Sequence, residues 1–208
     1  MRVTTSKKKE TRERIIACAR ELFIERGVLQ TTTRDIAAKA GIASGTLFNY
    51  FPSKEDLALS LIQESLDGGL EEFRRDVASL DSAEEALFSL IMSAFRSLAP
   101  YQAFVGEVAE TMLGPFNVAG GAGEIASSIR DAHLEELTGL LGKYGFKYEP
   151  AHVILQLYWT LYLGLITSWS RESGREESET LAVLDRTTRM FLSMLEPSTI
   201  SREVDHGS

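Results

Sequence analysis

A chain of 208 residues with 44% apolar and 25% charged residues has the makeup of an ordinary globular protein, and 5 Pro with 16 Gly exclude collagen-like and low-complexity classes. The single cysteine, Cys18, excludes an internal disulfide and a multi-cysteine zinc site, and it fits a reducing, cytoplasmic compartment. The net charge of −8 is unevenly spread: residues 1–60 hold 11 Lys/Arg against 7 Asp/Glu, net +4, and residues 61–208 hold 11 against 23, net −12. A basic end on an acidic body points to an end that meets a polyanion.

The hydrophobic spacing predicts helix nearly throughout, with no convincing period-two run and no hairpin signal. A first helix over 7–26 places Ile15, Ile16, Ala19, Leu22 and Phe23 on one face and stops at Gly27. Thr32-Thr33-Arg34-Asp35 is a capping signal that opens a second helix ending at Gly41. A third runs from Ser44 to Phe51, where Pro52 ends it. Ser53-Lys54-Glu55-Asp56 caps a long fourth helix to about residue 79, with a bend expected at Gly68-Gly69. Asp81 or Ser82, with Glu84 or Glu85 three residues on, is expected to cap a fifth helix to about Leu98, and a sixth is expected from Pro100 to about Leu113. Residues 114–123, rich in Gly, read as a loop. A seventh helix follows over about 122–142, an eighth over 149–173 and a ninth over 176–195, and a polar tail begins at Pro197. The basic N-terminus MRVTTSKKKE has no apolar stretch behind it and does not read as a secretory signal.

Two short helices joined at Gly41 form a candidate helix-turn-helix over residues 33–52. Gly41 supplies the positive φ of a tight turn, and Ala37 is small enough for close helix crossing. Ile36, Ala40, Ile42, Leu47 and Phe51 can face inward, which leaves Ser44, Gly45, Thr46, Phe48 and Asn49 outward. An apolar back with a short polar front is what a helix entering the major groove requires. Gly45 lets backbone approach the DNA, and Asn49 can pair bidentately with adenine. Thr46 and Phe48 can touch a thymine methyl, and Thr33, Arg34, Ser44 and Tyr50 can bond phosphates. Lys54, in the first turn of the fourth helix, is a further expected phosphate contact.

These residues carry a family resemblance. Residues 10–62, with RIIACARELFIERG over 14–27 and the run from Thr33 through IAAKAGIASGTLFNYFPSKEDL to Leu57, resemble the DNA-binding domain of the TetR (tetracycline-repressor-like) family of bacterial transcription regulators. The resemblance implies an all-α, two-domain homodimer of about nine helices, an N-terminal three-helix DNA-binding domain and a C-terminal helical ligand-binding and dimerisation domain. It also implies a repressor released from a palindromic, double-stranded operator by a small-molecule effector. The family usually has Tyr where this chain has Phe48, so one phosphate hydrogen bond, worth roughly 0.5–1.5 kcal/mol, is lost.

Beyond residue 62 the pattern alone speaks. Leu181, Leu184, Thr188, Phe191 and Leu195 recur at heptad-like spacing on the ninth helix. The eighth helix is apolar nearly all round over 153–169 and carries Gln156, Thr160, Gly164 and Ser168 at steps of four. The two together are expected to form half of a four-helix dimer seam through Gln156, Thr160, Gly164, Leu181, Leu184, Thr188, Phe191 and Leu195. A membrane span is set aside, because 17 residues interrupted by Gln, Thr and Ser reach only the short limit. Phe88, Met92, Phe95, Tyr101, Phe104, Met112 and Phe116, faced by Trp159 and Tyr162, can line an adaptable apolar cavity, with His133 as a polar contact. The same residues also suit a packed core. The acidic body mildly favours neutral or cationic ligands.

No metal site, cofactor or catalytic residue is read. Gly121-Ala122-Gly123-Glu124-Ile125-Ala126 mimics a dinucleotide fingerprint but lacks the surrounding βαβ unit, and the three His are scattered. The expected organisation is a DNA-binding domain over 1–52, a ligand-binding and dimerisation domain over 53–196 and a polar tail over 197–208. The readings weighed against a sequence-specific regulator are a non-specific architectural DNA-binding protein and a ligand-binding module or enzyme with an incidental basic end.

Overall fold

The computed structural model describes residues 5–114, 122–172 and 177–197. Among them are nine α-helices: α1 (Thr5–Arg26), α2 (Thr33–Lys39), α3 (Ser44–Leu47), α4 (Lys54–Asp76), α5 (Ala83–Leu98), α6 (Gln102–Thr111), α7 (Ala122–Lys143), α8 (Ala151–Ser170) and α9 (Glu177–Ser193). Single 3₁₀ turns at Val77–Ser79 and Ala99–Tyr101 extend α4 and lead into α6. The fold is all-α. The two-residue strands β1 (Phe146–Lys147) and β2 (Glu196–Pro197) pair antiparallel and tie the α7–α8 connection to the chain after α9. So short a pairing has no alternation to read, and it takes Pro197 out of the expected tail. Residues 198–208 lie outside the described residues.

Side-chain caps start three of the helices, two where the sequence places them and the third at Ser82, one of its two candidates. Ser53 accepts from the backbone N–H of Asp56, Ser82 from that of Glu85, and Thr32 with Asp35 forms a reciprocal capping box. Gly41, at φ +65°, turns the chain between α2 and α3. The third helix is shorter than expected: α-helical bonding ends at Leu47, and Asn49 and Tyr50 continue through i→i+3 bonds to Thr46 and Leu47. Helix α4 runs unbroken through Gly68-Gly69. Gly69 is instead where α5 comes close, since an added Cβ would stand 2.9 Å from the Ser97 hydroxyl oxygen and 3.0 Å from the Ser93 carbonyl.

Buried apolar side chains form one continuous core from Ile15 to Leu195. Helices α1, α2 and α3 close over Ile15, Phe23, Ile36, Leu47 and Phe51. Helix α4 joins this end to the body, packing on α1, α5 and α7. Helix α6 lies between α8 and α1, touching both. No described helix is long and apolar enough to cross a membrane.

Candidate nucleic-acid interface and effector cavity

The end formed by α1–α3 has the inside and outside that the sequence implies. Ile36, Ala37, Ala40, Leu47 and Phe51 are buried against α1, and Ile42 is half-buried. Ser44, Gly45 and Asn49 are exposed, Thr46 is half-buried, and the Phe48 ring is 51% exposed. A large apolar ring left in water beside Asn49 costs hydration free energy unless another surface covers it. Arg34 is exposed in the first turn of α2, and Thr33 and Tyr50 are half-buried.

Basic side chains of α1 brace this unit. Arg14 Nε donates to the Ala40 carbonyl at 3.0 Å, and the Arg12 guanidinium lies 5.0 Å from the centre of the Phe51 ring. Lys39 pairs with Glu21 at 2.8 Å. The hydrogen bond from the Thr32 side chain, then that from the Thr32 backbone, holds the Asp35 carboxyl below the usual carboxylate range.

Lys54 is occupied differently from the sequence expectation. Its Nζ donates to the carbonyls of Val28, Leu29 and Thr31 at 2.8, 3.0 and 3.0 Å. An ammonium has three donors, and all three are spent on the α1–α2 turn. The carbonyls exposed by that turn outcompete solvent for the charge, so Lys54 is a structural clamp and not a free phosphate ligand.

The residues grouped as a cavity lining separate into three sets. Met92 and Phe95 line a cavity of about 360 Å³ between α5, α6, α8 and α9, together with Ala99, Gln102, Trp169 and Leu181. Phe95 and Trp169 stack there, centroids 5.0 Å apart and planes 7° from parallel. Gln102 Nε2 donates to the Trp169 carbonyl at 3.0 Å. Phe104 is not in this lining. It packs edge-on against Phe23 of α1, centroids 5.6 Å apart, because α6 turns that face to the DNA-reading end. Met112 is half-buried at the end of α6, and Phe116 lies outside the described residues.

His133, Trp159 and Tyr162 form the third set, a buried cluster between α7 and α8. His133 stacks on Tyr162, centroids 4.0 Å apart, and its Nε2 lies 2.8 Å from the hydroxyl of Tyr158. Trp159 Nε1 donates to the Leu113 carbonyl at 3.1 Å. Burial lowers the His133 pKa to about 3, so the ring is neutral, and burial pushes the hydroxyls of Tyr158 and Tyr162 up. The Tyr162 hydroxyl has no hydrogen-bond partner among the described residues. Tyr158 was absent from the sequence reading, although its spacing of four from Tyr162 puts both on one face. Trp169 was missed because it lies at the far end of an evenly apolar helix.

The expected dimer seam needs correction on α9. Leu184, Thr188, Phe191 and Leu195 are buried within their own chain, and Leu181 is partly exposed beside the cavity. Spacing identifies an apolar stripe but not which surface covers it, and here the chain's own α5 and α8 do. The outward stripe is another one: Val153, Leu157, Thr160 and Gly164 on α8, with Val183 and Met190 on α9 and Met194 directly after it. Gln156 is half-buried and accepts from Arg130 at 3.1 Å.

Residues 15–61 match the model of the family described as bacterial regulatory proteins, tetR family. The chain is 37% identical over 94 residues to the HTH-type transcriptional repressor KstR2 of Mycobacterium tuberculosis, covering 45% of this chain and 47% of that protein. It is 36% identical over 85 residues to the fatty acid metabolism regulator protein of Bacillus subtilis, covering 41% and 44%. It therefore spans about half the length of these curated relatives. Among solved structures it is similar to Thermus thermophilus FadR, a TetR family transcriptional repressor in complex with lauroyl-CoA, with 26% identity, a TM-score of 0.66 and coverage of 95% and 99% of the two chains.

Proposed function

We propose that the chain, whose residues 15–61 match the model of the tetR family of bacterial regulatory proteins, is a cytoplasmic, homodimeric, sequence-specific repressor released from a palindromic operator by a small, largely apolar effector. The observation that carries this reading is the outward face of α3. Ser44 and Gly45 on α3, with Phe48 and Asn49 on the turn that continues it, stand exposed, while Leu47 and Phe51 behind them are locked into the core. Asn49 reads adenine, Phe48 and Thr46 meet a thymine methyl, and Thr33, Arg34, Ser44 and Tyr50 position the phosphates. The DNA-reading domain spans residues 1–52 and the effector and dimerisation body 53–196.

Two such ends reach both halves of a palindrome only if the chain pairs with itself. The outward stripe of α8 and α9 suits a second copy. Thr160 and Gly164 allow close helix approach, and Leu157, Val183, Met190 and Met194 supply apolar area. The cavity beside Phe95 and Trp169 is the effector seat. Its stacked rings and Met92 favour an apolar molecule. The lauroyl-CoA bound by the Thermus relative supports an apolar effector portion.

Selection of bound sequences from a random DNA pool, with sizing of the same sample, tests the reading. A recovered palindrome with a dimer is the expected result. A dimer without any enriched motif points to architectural binding, and no retained DNA at low salt refutes DNA recognition.

A further inference from the structure

The cavity beside Phe95 and Trp169 has an apolar wall with a cation set into it. Met92, Phe95, Arg96 and Ala99 stand at steps of three and four, so they share one face of α5 and its C-cap, and all four line the cavity. Three of the four are apolar, and Trp169 and Leu181 extend the apolar lining. Phe95 and Trp169 lie with their planes 7° apart, so this part of the wall is flat. The volume of about 360 Å³ falls in the range of small-molecule sites, roughly 300–1,000 Å³. Arg96 is the exception on this face, a guanidinium where the spacing calls for another apolar side chain.

The donors of that guanidinium are nearly idle. Among the described residues it has one ionic partner, the Glu72 carboxylate of α4, with Nη2 3.7 Å from Oε1, and no hydrogen bond. Both side chains are about half exposed, so the pair holds Arg96 only loosely. The other charge in the lining, Glu172, is engaged, since its carboxylate accepts from the buried Thr180 hydroxyl. A planar guanidinium can keep Glu72 on one edge and grip a second carboxylate with the other. The acidity of the body, net −12 over residues 61–208, opposes an anion only weakly, because salt screens exposed charges beyond about 8 Å at physiological ionic strength. Arg96 acts at contact distance, from the wall itself.

We propose that the cavity takes a flat apolar molecule bearing a carboxylate, and that Arg96 is the residue that binds the carboxylate. This rests on the effector seat proposed above and names the chemical class that fits it. The flat part lies against Met92, Phe95 and Trp169, and the carboxylate takes two parallel N–H bonds from the guanidinium.

Isothermal titration of the full chain at neutral pH with 2-naphthoate, its neutral amide and the cationic 2-naphthylmethylammonium tests this. The three probes share one ring system and differ in the charge they carry. Wild type is expected to bind the naphthoate about five- to tenfold tighter than the amide, and the ammonium more weakly than either. Arg96→Met keeps an apolar stem and removes the charge, and in it the naphthoate is expected to fall to within about twofold of the amide. Glu72→Gln removes the carboxylate that competes for the guanidinium. It is expected to tighten the naphthoate about two- to threefold and leave the amide unchanged, a gain that a merely structural Arg96 would not give. Ala99→Trp fills the cavity from its lining and is expected to abolish binding of all three. Strongest binding of the ammonium, a carboxylate preference that survives in R96M, or binding that survives Ala99→Trp overturns the proposal. If the amide binds as well as the naphthoate, the proposal falls and the apolar seat stands. If none of the three binds, the seat falls and the proposal with it, while the DNA selection is read independently of both.

Discussion

The Nε2 of His133 and the hydroxyl of Tyr158 lie 2.8 Å apart in the sealed layer between α7 and α8. Burial keeps the imidazole neutral, with its pKa lowered to about 3. In the unfolded chain the ring titrates near pH 6.5. Below that value the unfolded state takes up a proton that the folded state refuses. Stability therefore falls as the pH drops from about 6.5 toward 3, by about 1.4 kcal/mol per unit. His133→Phe removes this titration and leaves the Tyr158 hydroxyl unpaired. Urea unfolding should find the variant less stable at pH 7.5, by about 1–3 kcal/mol. The gap should narrow by roughly 2 kcal/mol at pH 5. A gap that stays constant would mean that His133 does not carry the acid sensitivity.

Lys54→Met should act on the fold and not on phosphates. It removes three charge-assisted bonds to the α1–α2 turn, a loss of about 1.5–3 kcal/mol that thermal unfolding would register. The salt dependence of DNA binding should change by well under one unit of slope. A drop of a full unit would return Lys54 to the phosphate-binding role that its position at a helix start suggests.

Arg34→Ala should show the opposite pattern. The side chain is exposed on α2 beside the recognition segment. Its loss should weaken binding to specific and random duplexes alike and flatten the salt slope by about one unit, with stability unchanged within about 0.5 kcal/mol. Salt titrations on both duplexes check this.

Much of the DNA-reading end was legible because its signals are local. The Thr32 cap and the left-handed Gly41 fix α2 and the turn after it whatever the rest of the chain does, whereas Pro52 set the limit of α3 too late, since its α-helical bonding ends at Leu47. The body was legible as helices but not as surfaces. Leu184, Phe191 and Leu195 have the spacing of a seam, and the same spacing serves a helix lying on its own core. Glu107 carried no signal at all, because the groups its carboxylate accepts from, the N–H groups of Val28 and Leu29, are backbone nearly eighty residues away. Lys54 was misread for a related reason: the carbonyls that hold it belong to a turn whose position in space no local pattern gives.

The assignment of the outward stripe separates two variants. A Cβ added at Gly164 meets nothing within 4 Å of its own chain, so Gly164→Glu should leave the fold intact and place a charge where the second copy approaches. Light scattering should show monomers, and operator binding should fall with dimerisation. Leu184→Ala cuts a fully buried side chain and should cost about 2–5 kcal/mol of stability without a specific effect on association. If G164E remains a dimer, the pairing face lies elsewhere.

The measurement that reaches the central claim most directly is a repeat of the random-pool selection with Asn49→Ala beside wild type. Asn49 is exposed, so the variant should fold and dimerise as wild type does. Wild type should enrich a palindrome with an invariant adenine in each half-site. The variant should lose that base and about 1–3 kcal/mol of discrimination at its position, while keeping the phosphate-driven affinity. Recovery of the same palindrome with the same base preferences by both proteins would contradict the account, because the outward face of α3 would then not be what reads the DNA.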